Sequence, residues 1–185
     1  MNFINAKDLH YSKLVKDDNT GVEYETYKRI PGVVSISISP TSNTASYYGD
    51  GVQMESVKRL GEITVSIQAS SLDLKTQADL LGHAFDEEKG VMVSKADDVA
   101  PYHSIAFSRE RADGSVRMIK LYKVMFALIN EEAQSSNDAI TFQDNTLEGN
   151  AMPLQYNKEW RRVIEPNDNN TAEVADFFKN VIHAG

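Results

Sequence analysis

Four histidines, His10, His83, His103 and His183, are the first residues of this sequence that could ligate a metal or carry a proton. Metal sites of the HExxH type need two imidazoles one helical turn apart, and no pair here has that spacing. All four are read as ordinary surface or half-buried side chains. The oxygen-rich stretch "DDNTGVEYE", 17–25, has carboxylates close enough together to suggest calcium. It lacks the glycine position and the distant glutamate of an EF-hand loop, and a turn between strands accounts for it. "FDEEKG", 85–90, reads as a solvated turn after a helix, and "NDNN", 167–170, as linker and helix cap. Tyr47 and Tyr48 could stack on a ligand or pack against a neighbour. No GxSxG elbow, phosphate-binding glycine loop or nucleophile–base pairing is present. Catalytic, cofactor-binding and metal residues are therefore all assigned as none.

The elements around these residues have mostly a period of two. "VVSISIS" predicts a strand with Val34, Ile36 and Ile38 inward and Ser35, Ser37 and Ser39 outward. "EITVSIQAS" repeats the pattern, with Ile63, Val65, Ile67 and Ala69 against Glu62, Thr64, Ser66 and Gln68. "DLHYSKLV" sets Leu9, Tyr11 and Val15 on one face, and further strands are expected at the opening stretch and around "PYHSIAFSRER", "AITFQDNTLEG" and "AMPLQYNKEW". Residues 41–60 read as a long polar loop, of the kind that is usually functional. Two helices interrupt the strands. "DLKTQADLLGHAF" has a stripe of Leu74, Ala78 and Leu81, with Asp73 as N-cap and Gly82 as stop. "NTAEVADFFKNVI" has Val174, Phe177, Phe178, Val181 and Ile182 at helical spacing, with Asn170 and Glu173 as a capping box. Residues 165–171 form a polar linker to it, within a C-terminal unit of 165–185. The expectation is one mainly β domain over 1–185 with short α elements, of about eight or more strands.

One strand is unusual. Asp113-Gly114 predicts a hairpin turn. After it, Val116, Met118, Tyr122, Val124 and Phe126 fall on one side and Ile119, Leu121 and Met125 on the other, with Arg117 and Lys123 between them. A strand apolar on both faces must be covered on both.

Bulk composition bounds the function. The 185 residues are 41% hydrophobic and 25% charged, as in soluble globular proteins. There is no cysteine, hence no disulfide framework and no thiolate metal site, which fits a reducing compartment. No signal peptide or membrane span is expected from the apolar runs. With 27 acidic and 19 basic side chains the net charge is -8, which argues against gripping duplex DNA by its phosphates.

The order of features resembles the major tail protein, the tail tube protein, of long non-contractile bacteriophage tails. The likeness runs from about residue 8 to residue 152. It is carried by "YKRIPGVVSISISPTSNTASYYGDG", "GEITVSIQASSLDLKTQADLLGH", "DEEKGVMV", "DDVAPYHSIAFSRERADGSVRMIKLYKVMF", "EEAQ" and "ITFQDNTLEGNAM". The resemblance implies a β-sandwich or barrel flanked by a helix, closed edge to edge into hexameric rings that stack as a tube. It makes residues 41–60 an inter-ring loop, with Tyr47, Tyr48, Asp50 and Glu55 as candidate contacts between subunits. It also implies a virion tail assembled in the bacterial cytoplasm, with a tape measure protein and a tail terminator as partners. DNA would pass without specific binding, no cofactor would be needed, and an acidic lumen would let the duplex slide. The tube of a phage-derived bacteriocin particle is a near variant. A small-ligand or carbohydrate-binding β-sandwich with Tyr47 and Tyr48 as its site is the alternative.

Overall fold

The computed structural model describes residues 3–49, 52–70, 72–129 and 145–181, and the side chains of all of these except 47–49 and 52–55. The elements in chain order are β1 (Phe3–Asp18), β2 (Gly21–Tyr24), β3 (Lys28–Arg29), β4 (Val33–Gly49), β5 (Val52–Ala69), α1 (Leu74–Leu81), β6 (Ala84–Asp86), β7 (Val91–Val93), β8 (His103–Arg111), β9 (Val116–Phe126), β10 (Asn145–Ala151), β11 (Arg161–Ile164) and α2 (Thr171–Asp176). The fold is mainly β with two short helices, as the sequence predicts.

Nine strands form one antiparallel sheet. Its path is β2-β1-β8-β9-β10-β5-β4, with β11 also on β9 and β3 also on β1. The remaining pair, β6-β7, is a separate hairpin. The sheet wraps a core to which Leu9, Tyr11, Ile63, Ile67, Ile105, Phe107, Leu121 and Leu147 contribute, with Leu80 and Leu81 of α1 packed into it. Over 62–69 strand β5 follows its alternation: Ile63, Val65, Ile67 and Ala69 are buried. In β4 the inward residues are Val33, Ile36 and Ile38. Val34, expected inward, is 50% exposed. It is the extra residue of a bulge between Val33 and Ser35, and a bulge shifts the alternation by one. The same reason corrects Val15, 61% exposed, which sits at a bulge between Leu14 and Lys16 in β1.

Strand β9 is indeed buried on both faces. Its face assignment changes midway, because two steps in β8, His103 to Ile105, oppose three in β9, Val124 to Leu121. Val124 and Phe126 therefore join Ile119 and Leu121 in the main core rather than Val116, Met118 and Tyr122. The second face is covered by the same chain. Phe177 and Ile164 pack on Met118 and Ala106, and Leu154 and Val181 pack on Tyr122.

The helices are shorter than their patterns. In α1, Gly82 ends the helix at φ 76, and its N–H returns to the Ala78 carbonyl at 2.8 Å. A Cβ there would stand 2.3 Å from the Val99 carbonyl oxygen, so the close approach requires glycine. The buried stripe is Gln77, Ala78, Leu80 and Leu81, together with Thr76; Leu74 is 45% exposed and not part of it. Asp73 occupies the N-cap position, but its side chain makes no capping hydrogen bond. α2 has six residues and stops at Phe177. Asn170 makes no side-chain cap: its Nδ2 donates to the Glu165 carbonyl at 2.9 Å, and its Oδ1 accepts from the Asn167 N–H at 2.8 Å. The capping box is thus replaced by a closed linker. Ile182 lies outside the described residues. The expected strand over "AMPLQYNKEW" is mostly irregular chain, tied down where the Asp17 carboxylate accepts the N–H groups of Gln155 and Tyr156; the strand follows it, as β11.

Candidate self-association surface

Residues 41–49 and 52–60, read as part of a loop, are paired strands instead. Strands β4 and β5 pair from Val33↔Ala69 at the body to Gly49↔Val52 at the far end. The inner halves pack on the core. In the outer half, residues 41–46 and 56–60 are exposed. At about 3.3 Å per residue, the nine residues from 41 to 49 make an arm of roughly 30 Å. Its exposed apolar side chains are Val57 and Leu60, and the rest of this described stretch is Ser, Thr, Asn, Ala, Lys and Arg. Nothing in that composition could bury the arm on its own sheet, and both its faces are solvated.

The ladder breaks where the arm leaves the body. Pro40 opposes Ile63, but the next pair is Ser42 with Leu60. Thr41 on one strand and Gly61 and Glu62 on the other are left out of register. A Cβ on Gly61 would meet the Thr41 Oγ1 at 2.6 Å, and that hydroxyl donates to the Glu62 carbonyl at 2.8 Å. Pro40 has no N–H to give to a ladder, so this is a structurally distinct joint.

Strand β4 also terminates the sheet path, and among the described residues it pairs only with β5. No other described strand pairs with its second edge. A sheet edge without a partner strand is a template for pairing with another chain. The solvent side of β4, β5 and β10 is built from three cross-strand rows: Ser35–Gln68–Thr146, Ser37–Ser66–Glu148 and Ser39–Thr64–Asn150. All nine side chains are polar, and none is Lys or Arg.

The candidate contact residues divide between described and undescribed. The backbones of Tyr47 and Tyr48 pair with Glu55 and Gln53 near the end of the arm, which brings Tyr47 and Glu55 opposite each other. Their side chains, and Asp50 altogether, lie outside the described residues. The histidines part company. His10 lies against the Phe178 ring at a centroid distance of 4.7 Å, and His83 Nδ1 is 2.7 Å from the Asp98 carboxylate. His183 lies outside the described residues. His103, read as a surface or half-buried residue, is fully buried instead. Among the described residues neither of its ring nitrogens has a partner of hydrogen-bond geometry; the Pro101 carbonyl favours the charged ring without meeting that geometry. Burial, with Lys13 adding to it, pushes its pKa down to about 4.

His103 lines a polar pocket of about 350 Å³ between β1, α1 and the segment before β8, together with Tyr11, Lys13, Lys28, Asp79 and His83. Asp79 accepts hydrogen bonds from Tyr11 Oη at 3.0 Å and from Lys28 Nζ at 2.6 Å. Among the described residues, no three His, Asp or Glu side chains are grouped to hold a metal ion. No helix there is long and apolar enough to cross a membrane.

Two buried lysines were not singled out by the sequence pattern. Lys123 Nζ is 2.7 Å from the Asp17 carboxylate in a pair almost closed to solvent. Burial opposes ionisation of Asp17, but Lys123 and the two amides outweigh it and hold the carboxyl below its usual range. These Asp17 contacts support the turn reading of "DDNTGVEYE". Lys120 Nζ, wholly buried, donates to the carbonyls of Asn180 at 2.7 Å and Val181 at 3.3 Å. The only signal for it was a lysine inside the apolar run "MIKLY".

Set against protein-family models and curated proteins, the chain finds no match to either.

Proposed function

We propose that this chain is a structural, non-enzymatic subunit that polymerises as stacked hexameric rings into the tail tube of a long-tailed bacteriophage, or of a related particle. The observation that carries the reading is the β4–β5 hairpin. A solvated arm of about 30 Å and a β4 edge that pairs with no other described strand do nothing for the isolated fold. They suit a protein completed by copies of itself: the edge for closing a ring, the arm for reaching the next one. The resemblance of the sequence to tail tube proteins points the same way, and it extends over the arm, the sheet and α1. Tape measure and terminator proteins are the further partners the reading implies.

Electron microscopy of the purified chain at rising concentration tests this. Rings or filaments of uniform width are expected. A chain that stays monomeric at every concentration and salt tried overturns the proposal. The pocket at His103 favours a second reading, a small-ligand-binding module. That protein would remain small, so the same measurement separates the two.

A further inference from the structure

We infer that the pocket between β1, β3, α1 and the segment before β8 binds a small neutral polyhydroxyl compound, of glycerol to monosaccharide size, through Lys28, Asp79 and His83. The inference goes beyond the tail-tube reading and does not depend on polymerisation; it gives the pocket a ligand class.

The turn after α1 places the first of these groups. Gly82, in the left-handed region, ends the helix and brings the His83 N–H back onto the Ala78 carbonyl at 3.0 Å. The His83 ring thereby lines the pocket. Its Nδ1 is 2.7 Å from Asp98 Oδ2, and that oxygen also accepts the Lys95 N–H at 2.8 Å. Among the described residues the other nitrogen, Nε2, has no hydrogen-bond partner, and unlike the nitrogens of His103 it is not closed to solvent. Asp79 takes Tyr11 Oη and Lys28 Nζ on the same oxygen, Oδ2, at 3.0 and 2.6 Å. Its Oδ1 is left without a hydrogen-bond partner among the described residues. Lys28 spends one of its ammonium protons on that bond and keeps the others.

These unused positions define the ligand. The charges are already matched. Lys28 pairs with Asp79 and His83 with Asp98, and at the rim the exposed Lys13 and Glu25 offset one another. An ion of either sign is repelled by one member of each pair as the other attracts it. What remains is hydrogen-bond capacity of both kinds: Oδ1 accepts, Nζ donates, and Nε2 accepts in the neutral ring or donates in the charged one. A hydroxyl answers all three, because it donates and accepts at once. The groups stand on separate elements, so a compound with several hydroxyls engages them together. The volume of about 350 Å³ far exceeds the roughly 30 Å³ of one water in the liquid, so a single water does not fill the pocket. It lies at the lower end of the about 300–1,000 Å³ of small-molecule sites, which suits a small ligand. An apolar ligand would strip water from these groups and leave them unpaired.

Nitrogen NMR of protein with isotopically labelled histidine, titrated at constant pH and ionic strength, tests this. The probes are glycerol, D-glucose, D-galactose and D-mannose, with acetate, phosphate and glycine as charged comparisons. At least one neutral compound should shift the His83 Nε2 signal along a saturating curve, and the charged ones should not. Lys28 is exposed, so Lys28→Met should keep the fold, as thermal unfolding verifies, and weaken that response tenfold or more. Asp79→Asn, of equal size without the charge, should weaken it likewise; if it fails to fold, Lys28→Met decides. A charged probe that saturates the signal more readily than every neutral one assigns another ligand class and overturns the inference. A response unchanged in either folded variant places the polyol elsewhere and overturns it too. With no saturating response to any probe, the inference and the ligand-binding reading of the pocket fall together. Tube formation, read by microscopy, is untouched by each of these results.

Discussion

The ammonium of Lys120 lies 4.5 Å from the centroid of the Phe177 ring. The two residues come from opposite layers: Lys120 from the middle of β9, Phe177 from the end of α2. The ring of Tyr27 is on the same ammonium at 5.4 Å, and the carbonyls of Asn180 and Val181 accept its protons. A cation otherwise costly to bury is met by two aromatic faces and backbone oxygens. The C-terminal segment is thereby fixed across the outer face of its own sheet. A second tie lies at its start, where the Arg162 guanidinium pairs with the Glu173 carboxylate.

Phe177→Ala should therefore destabilise the isolated chain. The ring is wholly buried in its own subunit, and emptying such a site costs about 3–5 kcal/mol. Urea unfolding of the monomer measures it. A variant of normal stability that fails only in assembly would place the ring against a neighbouring subunit instead.

Lys120 gives stability a pH dependence of defined sign. Burial, with Arg162 adding to it and Glu173 opposing, pushes its pKa down to about 7 from the ordinary 10.5. Between those values the unfolded chain holds the proton and the folded chain releases it. Stability should thus rise from pH 7 towards 10 and carry the full cost of the buried charge below 7. Above about 10 the buried tyrosines reverse the trend, since desolvation raises the pKa of Tyr24 and Tyr27 and keeps them neutral in the fold. Lys120→Met should flatten the slope between pH 7 and 10 in urea titrations. An unchanged slope in that variant assigns the titration elsewhere.

His103 acts in the acid range. Its folded pKa, about 4, lies below the ordinary 6.5, so the unfolded chain binds the proton first. Stability should fall as pH drops from 6.5 towards 4. His103→Leu removes two buried nitrogens that have no partner, and at pH 7 it should leave stability equal or higher. It should also lose the acid sensitivity over that window. A strongly destabilised His103→Leu at neutral pH would mean that the ring has a partner in solution, such as a bound water.

Cutting the arm should separate folding from assembly. Replacing residues 43–59 by Asn-Gly rejoins Ser42 to Leu60, which are paired, through a two-residue turn. The removed side chains from 43 to 46 and 56 to 59 are exposed, so thermal unfolding of the monomer should barely move. Filament growth, followed by light scattering and microscopy, should be lost. Normal polymerisation of the shortened chain removes the arm from the assembly mechanism.

Ser35, Ser37 and Ser39 against Ile36 and Ile38, and the same alternation in β5, were legible from the sequence, because a two-residue period leaves one arrangement that buries the apolar set. The two-sided burial of β9 and the need for a cover were legible for the same reason. What covered it was not, because contacts such as Phe177 on Met118 join segments far apart in the chain and depend on how the sheet curls. Val15, Val34 and the latter half of β9 were misassigned for a single physical cause. A bulge inverts the alternation beyond it, and its position is set by the partner strand rather than by the strand itself. The arm was hidden in another way. Exposed on both faces, its residues have no apolar period, so paired strands read as a loop; only the cross-strand pairing of 42–49 with 52–60 distinguishes them. Lys120 and His103 show the same limit in the interior. Their residue types argue for the surface, and tertiary packing alone places them where the dielectric, and hence their protonation, differs from that of water.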